Sequence, residues 1–392
     1  MRIALEDAAD SLGGIRSRKV IQSDNNDRQE TPVPDRKRID ERTVDELLQL
    51  LRGRPRISLA LLPTPMQKLE NFGSQLTGTE LWLKRDDLTG LAGGGNKTRK
   101  LEFLVADAIE SGADMLVTAG AIQSNHTRQT AAAAARCQLK CALLHLAWTK
   151  DAGPGYRQVG NILMSHIMGA ELFVDASARP IEDQGPLQDF CDFLRKRGDR
   201  PYLIPAGASE HRLGSLGYML CAAEIARQSA ALEVHFDYLV HCTGSGSTQA
   251  GLLAGLAAIG NTSRVIGVSD DHETRIKRER VLQLANAALA EIGLPQRISP
   301  ADVEVIAADR SPYGSADSET FDAIRLLAQK EGLMADPVYE GKALRGLLKL
   351  ASDGRFESGS KVLLMHLGGT PAVHAYANQF GTPEFSPLRA AG

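Results

Sequence analysis

The sequence predicts an α/β fold in which short buried strands alternate with helices. Six short apolar runs have the length and flanking residues of strands buried on both faces, and they span residues 81–84, 115–118, 141–146, 238–242, 265–268 and 362–365. Most of them precede an Ala- and Leu-rich helical pattern, as at residues 127–136 and 249–258. This alternation favours parallel sheets with crossover connections.

Size and charge narrow the class of protein. A chain of 392 residues can bury the cores of two domains. Its 45 basic and 48 acidic residues leave no net field for polyanions, so we expect neither nucleic acid nor a membrane as partner. The five cysteines are scattered and lie in apolar stretches, as is typical of core thiols in a reducing compartment. The sequence also has no apolar run of bilayer length and no secretory signal pattern, so we predict a cytoplasmic location.

The first 42 residues are predicted to form a flexible extension. Residues 23–41 contain few apolar side chains that could be buried. We expect order to begin at Thr43, because residues 43–46 (TVDE) match a capping box and a leucine-rich helical pattern follows.

Lys97 is the first candidate for covalent chemistry. It follows three consecutive glycines, residues 93–95, which let backbone approach a flat or anionic ligand. A lysine at the start of a helix, beside Arg99 and Lys100, lies near like charges and a positive dipole end, and both favour the neutral amine. A carbonyl cofactor requires a neutral amine for bonding. The spacing alone also allows an ordinary surface lysine after a flexible loop.

A second glycine-rich turn lies between an apolar strand and a helix, and it contains Ser245, Gly246, Ser247 and Thr248. Free backbone amides and hydroxyl groups in such a turn form a cup for phosphate. The Walker spacing is absent, and Gln249 stands at the third glycine of the dinucleotide fingerprint, so a phosphate monoester is favoured over a nucleotide. A tight turn without a ligand is the alternative.

The third candidate group is Ser124, Asn125, His126 and Thr127, again between a predicted strand and a helix. These side chains and the helix start are suited to binding the carboxylate of a substrate, and they are equally suited to capping the helix. One cap can serve both purposes.

Residues 270–273 (DDHE) suggest a metal site, but no second His or carboxylate cluster stands at ligand spacing, so we expect no metal.

Several segments together resemble the family of D-cysteine desulfhydrases and 1-aminocyclopropane-1-carboxylate (ACC) deaminases. The resemblance extends from about residue 55 to the end and is carried by residues 62–65 (LPTP), 84–87 (KRDD), 94–102 (GGNKTRKLE), 120–129 (GAIQSNHTRQ), 336–342 (DPVYEGK) and 366–369 (HLGG). It implies fold type II of the pyridoxal-phosphate (PLP) enzymes, tryptophan synthase β-like, with two open twisted α/β domains. The implied large cofactor-binding domain comprises residues 43–96 and 209–392, and the implied small α/β domain comprises residues 97–208. A homodimer is also implied.

The same resemblance implies roles for single residues. Lys97 matches the lysine that holds PLP covalently, and Asn125 matches the residue that contacts the ring oxygen of the cofactor. Ser124 matches the active-site serine, and Tyr313 matches the catalytic tyrosine. Residues 245–248 match the phosphate loop.

Departures from the family pattern bear on the partner of the pyridine nitrogen. The deaminases place a Glu directly before the catalytic tyrosine, where this chain has Pro312. The desulfhydrases tend to place Thr after the histidine of the final His-x-Gly-Gly, where this chain has Leu367. The expected partner is therefore not identified, and Thr370 is the nearest substitute in sequence.

The choice of substrate depends on a few further residues. Trp148 and Glu340 favour the deaminases, whereas Ala121, His126 and Pro312 favour the desulfhydrases. We therefore predict a PLP-dependent lyase that acts on a small amino acid by β-elimination, converting D-cysteine to pyruvate, ammonia and sulfide. The alternatives are ACC deamination to 2-oxobutyrate and ammonia, another amino-acid sulfo-lyase, and a non-catalytic sensor of PLP or an amino acid.

Overall fold

Two largely parallel sheets form the framework of the protein. The computed structural model describes residues 40–177, 183, 185–295 and 298–386. A six-stranded sheet has the order β1-β2-β10-β7-β8-β9 and a four-stranded sheet the order β5-β4-β3-β6, and only β1 runs antiparallel to its neighbour. The strands are β1 (Met66–Lys68), β2 (Glu80–Arg85), β3 (Met115–Gly120), β4 (Lys140–Leu146), β5 (Glu171–Asp175), β6 (Pro201–Ile204), β7 (Tyr238–Thr243), β8 (Arg264–Ser269), β9 (Glu304–Ile306) and β10 (Lys361–His366).

Helices connect these strands, as expected for parallel pairing. The α-helices are α1 (Glu41–Arg52), α2 (Glu70–Gly73), α3 (Lys97–Glu110), α4 (Asn125–Arg136), α5 (Gly160–Ile167), α6 (Gly185–Arg197), α7 (Leu216–Ala231), α8 (Ser247–Ala258), α9 (Thr274–Glu291), α10 (Ser318–Glu331) and α11 (Glu340–Ser352). Among the described helices, none combines the length and the apolar character that crossing a bilayer demands.

All six predicted strands are present, each one or two residues longer than its apolar run. The sequence did not predict β1, β5, β6 and β9, which lie at the outer edges of the two sheets. An edge strand has one unpaired side and more contact with solvent, so it needs no continuous apolar run. The exposure of β5 agrees with this explanation, because none of its residues is buried.

The predicted capping box at Thr43 is wrong, because the observed helix cap lies three residues earlier, almost one turn of helix. Helix α1 begins at Glu41, and the side chain of Asp40 caps it by accepting a hydrogen bond from the backbone N–H of Arg42 at 2.9 Å. The Thr43 hydroxyl instead contacts the carbonyl oxygen of Ile259 at 3.2 Å, which ties α1 to the end of α8. The rest of the predicted flexible extension lies outside the described residues.

The parallel arrangement brings strand ends together. Strands β7, β8 and β10 are adjacent and parallel, so the turns that follow Thr243, Ser269 and His366 open on one edge of the larger sheet. Ligands of open α/β sheets bind at such carboxyl ends. The boundaries of the large and small domains remain a prediction.

Candidate active site

A cavity of about 350 Å³ lies where the carboxyl ends of strands from both sheets meet. Most of the predicted site residues line it although they are far apart in sequence, and they are Lys97, Ser124, Asn125, His126, Ser245, Gly246, Thr248 and Tyr313. One pocket therefore contains the lysine, the serine-rich turn and the capped helix start.

Two predicted residues do not line the cavity. The hydroxyl group of Thr127 donates to the backbone oxygen of Ser124 at 3.0 Å, within the first turn of α4. The Ser247 hydroxyl accepts a hydrogen bond from Lys100 at 2.7 Å and contacts the Ser209 hydroxyl at 2.9 Å. Both side chains are buried and engaged within the protein.

Burial is the main influence on the charge of the Lys97 amine. Lys97 is the first residue of α3, and its Nζ lies 3.2 Å from Oδ1 of Asn96. Burial lowers the pKa of Lys97 to about 8, although Cys242 and Asp270 act in the opposite direction. Of the two charged neighbours that the sequence suggested, Arg99 pairs with Asp86, whereas Lys100 is close enough for the two amines to repel each other. The prediction of a depressed pKa is therefore supported for a different reason.

The serine-rich turn has the geometry of an anion-binding helix start. Gly246 caps α8 with φ of 95°, a left-handed conformation that glycine adopts without strain. The first amide groups of α8 lack carbonyl partners within the helix and carry its positive dipole end. The side-chain amide of Asn96 donates to the Thr248 hydroxyl at 3.1 Å, which joins the turn to the residue next to Lys97.

Lys100 is a functional candidate that the sequence analysis treated only as a neighbouring charge. Its side chain is buried, and in the described part of the chain its ammonium contacts the Ser247 hydroxyl and the Gly207 carbonyl rather than a carboxylate. Burial holds the pKa of Lys100 well below its usual value. A buried amine beside helix amide groups that have no carbonyl partners fits an anionic ligand. A phosphate would supply the negative charge that the Lys100 side chain lacks nearby.

The start of α4 forms the opposite part of the wall. Ser124 caps this helix, and Gly120 makes room for it because a Cβ at Gly120 would lie 2.6 Å from the Ser124 hydroxyl oxygen. His126 is held as a neutral ring, since burial keeps its pKa well below normal. The Thr118 hydroxyl donates to the Ile204 carbonyl at 2.7 Å, so the proton of the 2.8 Å bond between His126 and Thr118 belongs to Nε2 of the histidine.

Tyr313 forms a pair with Tyr339, a residue that the sequence analysis did not assign. Their hydroxyl oxygens are 2.6 Å apart, and both side chains line the cavity. Burial raises the pKa of each tyrosine, so both remain protonated at neutral pH. Two hydroxyl groups that share one hydrogen bond leave one phenolic hydrogen for a ligand.

Glu340 is the second residue whose role was missed. It begins α11 and lines the cavity, and its Oε1 is buried without a hydrogen-bond partner. Burial, with Asp336 adding to it, raises the pKa of Glu340 well above its usual value. A buried carboxyl oxygen without a hydrogen-bond partner fits the pyridine nitrogen of PLP. Pro312 is exposed and, like Thr370, is not part of the cavity wall.

Comparison with known proteins identifies the enzyme family to which this chain belongs. The model of the family described as "Pyridoxal-phosphate dependent enzyme" matches residues 57–368, so the chain belongs to this family. It is therefore an enzyme with PLP as cofactor, as the sequence predicted. Among the described residues, no group of three or more His, Cys, Asp or Glu side chains is arranged to hold a metal ion.

The relatives narrow the family further. The chain is 46% identical over 331 residues to the ACC deaminase of Burkholderia vietnamiensis (strain G4 / LMG 22486), covering 83% of this chain and 97% of the relative. It is 44% identical over 326 residues to the ACC deaminase of Ralstonia pickettii (strain 12J), covering 82% and 96%. These matches confirm the predicted family of ACC deaminases and D-cysteine desulfhydrases, and they favour the alternative activity over the main one.

Solved structures support the same fold. The crystal structure of an ACC deaminase homologue is similar with a TM-score of 0.77 and 35% identity, covering 85% of this chain and 98% of that one. O-ureido-L-serine synthase shares the fold alone, with a TM-score of 0.61, 17% identity, and coverage of 86% and 96%. The predicted fold type II is confirmed.

Proposed function

We propose that the protein is an ACC deaminase, which converts 1-aminocyclopropane-1-carboxylate and water to 2-oxobutyrate and ammonia. The observation that carries the proposal is the similarity to an ACC deaminase along 97% of that enzyme's length. The D-cysteine β-elimination that the sequence predicted rested partly on Pro312, which lies outside the cavity wall.

The cavity offers one group for each polar part of PLP. Lys97 would hold the aldehyde carbon, the start of α8 would hold the phosphate, Asn125 would contact the ring oxygen, and Glu340 would contact the ring nitrogen. Lys100, which contacts Ser247 at the start of α8, would supply positive charge from behind the cavity wall. When bound, PLP supplies an electron sink for the bond that breaks at the α-carbon of the substrate.

The start of α4 would bind the substrate. The Ser124 hydroxyl and the amide groups of the first turn present donors to a carboxylate. Trp148 lines the same cavity, and a cavity of about 350 Å³ that also accommodates a cofactor selects a small substrate.

The chemistry of ACC requires a proton donor away from the α-carbon. This carbon bears no hydrogen, so the reaction cannot begin by removing a proton there, and a ring carbon–carbon bond must break. One ring methylene group gains a proton and becomes the methyl group of 2-oxobutyrate. The Tyr313–Tyr339 pair keeps a phenolic hydrogen available for this step. Lys97, neutral above its pKa of about 8, would accept a proton from the other ring carbon. That carbon regains a proton when the resulting enamine is hydrolysed, so it remains the methylene group of 2-oxobutyrate.

Product analysis tests the proposal. With ACC we expect 2-oxobutyrate and ammonia in equal amounts, and Tyr339→Phe should lower kcat by about a hundredfold because it removes a proton donor. Tyr202→Phe is the matched control, since that hydroxyl bonds to Asp107 outside the cavity. Pyruvate and sulfide from D-cysteine, with no product from ACC, would replace the proposal with the desulfhydrase activity.

A further inference from the structure

Asn161 lies outside the cavity wall, yet it controls how Asn125 faces the cavity. The side-chain nitrogen of Asn161 donates to Oδ1 of Asn125 at 2.8 Å, and both residues are buried. An amide side chain has one acceptor oxygen and one donor nitrogen. Since Oδ1 of Asn125 is engaged by Asn161, the donor nitrogen Nδ2 of Asn125 is directed elsewhere.

The orientation of Asn161 is itself fixed by two groups that cannot change roles. Its Nδ2 also donates to the backbone oxygen of Gln123 at 2.9 Å, and its Oδ1 accepts a hydrogen bond from Nε of Arg128 at 2.7 Å. A carbonyl oxygen only accepts and a guanidinium N–H only donates. Reversing the Asn161 amide would place donor against donor and acceptor against acceptor, so it has one orientation.

Arg128 anchors this chain of hydrogen bonds. Its guanidinium is buried and is held by the carbonyl oxygens of Ala92 and Gly94, the latter at 2.9 Å, and within the described residues no carboxylate pairs with it. Gly94 belongs to the glycine run before Lys97. The cation therefore fixes Asn161 and, at the same time, ties α4 to the loop that presents the lysine.

We propose that Arg128 and Asn161 are positioning residues that hold the Asn125 amide with its Nδ2 directed at the ring oxygen of PLP. Asn125 lines the cavity, and none of the hydrogen bonds among the described residues uses its Nδ2. The inference rests on the proposed contact between Asn125 and the cofactor. A fixed donor stabilises the negative charge of the ring oxygen and so lowers the pH at which the lysine-bound cofactor loses its proton.

The variant Asn161→Asp tests the proposal because it replaces the donor Nδ2 with an acceptor at constant shape. This change reverses the bond to Asn125 and removes the bond to the Gln123 carbonyl. An aspartate keeps the bond from Arg128 but presents an acceptor to Asn125, whose amide must turn its Nδ2 away from the cavity. In the holoenzyme we expect the pH midpoint of the visible absorbance change to rise by about one unit, the size of one lost charge-assisted hydrogen bond. Asn125→Ala should give a similar rise.

Two comparisons separate positioning from a general structural effect. Asn161→Ala removes packing but does not force Asn125 to turn, so it should shift the midpoint less than Asn161→Asp. In the Asn125→Ala background, Asn161→Asp should add nothing, whereas a purely electrostatic effect of the new carboxylate would persist. An equal shift in both backgrounds, a larger shift for Asn161→Ala, or an unchanged midpoint in Asn161→Asp would each overturn the proposal. No substrate enters these spectra, so an error in the proposed substrate leaves their outcome unchanged.

Discussion

At the scale of single residues, the charge of Lys97 should control how fast the protein acquires PLP. Only the neutral amine attacks the aldehyde, and burial lowers the pKa of Lys97 to about 8. Below that pH each unit of acidity reduces the neutral fraction about tenfold. We expect the loading rate of the cofactor-free protein, followed by visible absorbance, to rise with pH and to level off above about 8. Lys97→Arg should not develop the absorbance band of the lysine-bound cofactor, and a rate that is independent of pH would contradict this assignment.

Glu340 gives a second prediction at this scale. Burial favours the neutral acid of Glu340 in the cofactor-free protein, and a protonated pyridine nitrogen would stabilise its carboxylate. Glu340→Gln keeps the shape of the side chain but cannot supply that negative charge, so PLP becomes a weaker electron sink. We expect kcat to fall about a hundredfold while the bound cofactor is retained. Glu279→Gln, at an exposed position of α9, is the control. If kcat of Glu340→Gln equals that of the control, the ring nitrogen has a different partner.

At the scale of elements, helix α8 offers a matched pair of glycines at its two ends. Gly246 and Gly260 both have positive φ, of 95° and 68°, so alanine at either position costs about 1 kcal/mol of backbone strain. Only Gly246 adjoins the cavity, where a Cβ would also meet the Val281 side chain at 3.2 Å. We expect both variants to lose Tm, with the larger loss for Gly246→Ala because of the Val281 contact, and PLP affinity to weaken about tenfold in Gly246→Ala alone. Equal affinities in the two variants would exclude the start of α8 as the phosphate site.

The sequence predicted those helices and strands whose own residues form a recognisable pattern. The central strands β2, β3, β4, β7, β8 and β10 were visible as apolar runs because both of their faces are covered. The edge strands are only three to five residues long, and β1 and β9 carry no such run. Lys97 and the turn at Gly246 were predicted in the same way, because each lies in a glycine-rich segment at the start of a helix. Tyr339 and Glu340 were missed because their roles depend on partners across the fold, namely Tyr313 and the shared cavity.

At the scale of the whole molecule, a buried ionic network ties α3, which carries Lys97, to the larger sheet. Arg99 of α3 pairs with Asp86 after β2 at 2.8 Å and with Glu224 of α7 at 2.9 Å. Lys84 of β2 pairs with the same Glu224 at 2.5 Å. Burial alone would raise the pKa of Asp86 and Glu224, but Arg99 outweighs it and holds both below their usual values.

This network predicts a dependence of stability on Arg99 that changes with pH. Arg99→Met leaves two buried carboxylates short of a cation and should lower the free energy of unfolding by about 3–5 kcal/mol at neutral pH. Arg212→Met is the matched control, because that exposed arginine also contacts two carboxylates, Asp107 and Glu291, and should cost less than about 1 kcal/mol.

The sign of the pH effect follows from the lowered pKa values of Asp86 and Glu224. In acid the unfolded chain binds protons at these carboxyls before the folded protein does, so their contribution is complete above their unfolded pKa values and is lost as the pH falls through the folded ones. The difference between wild type and Arg99→Met should therefore shrink towards acid pH, as measured by urea unfolding at several pH values. A difference that stays constant would mean that Arg99 stabilises the protein by packing rather than by charge.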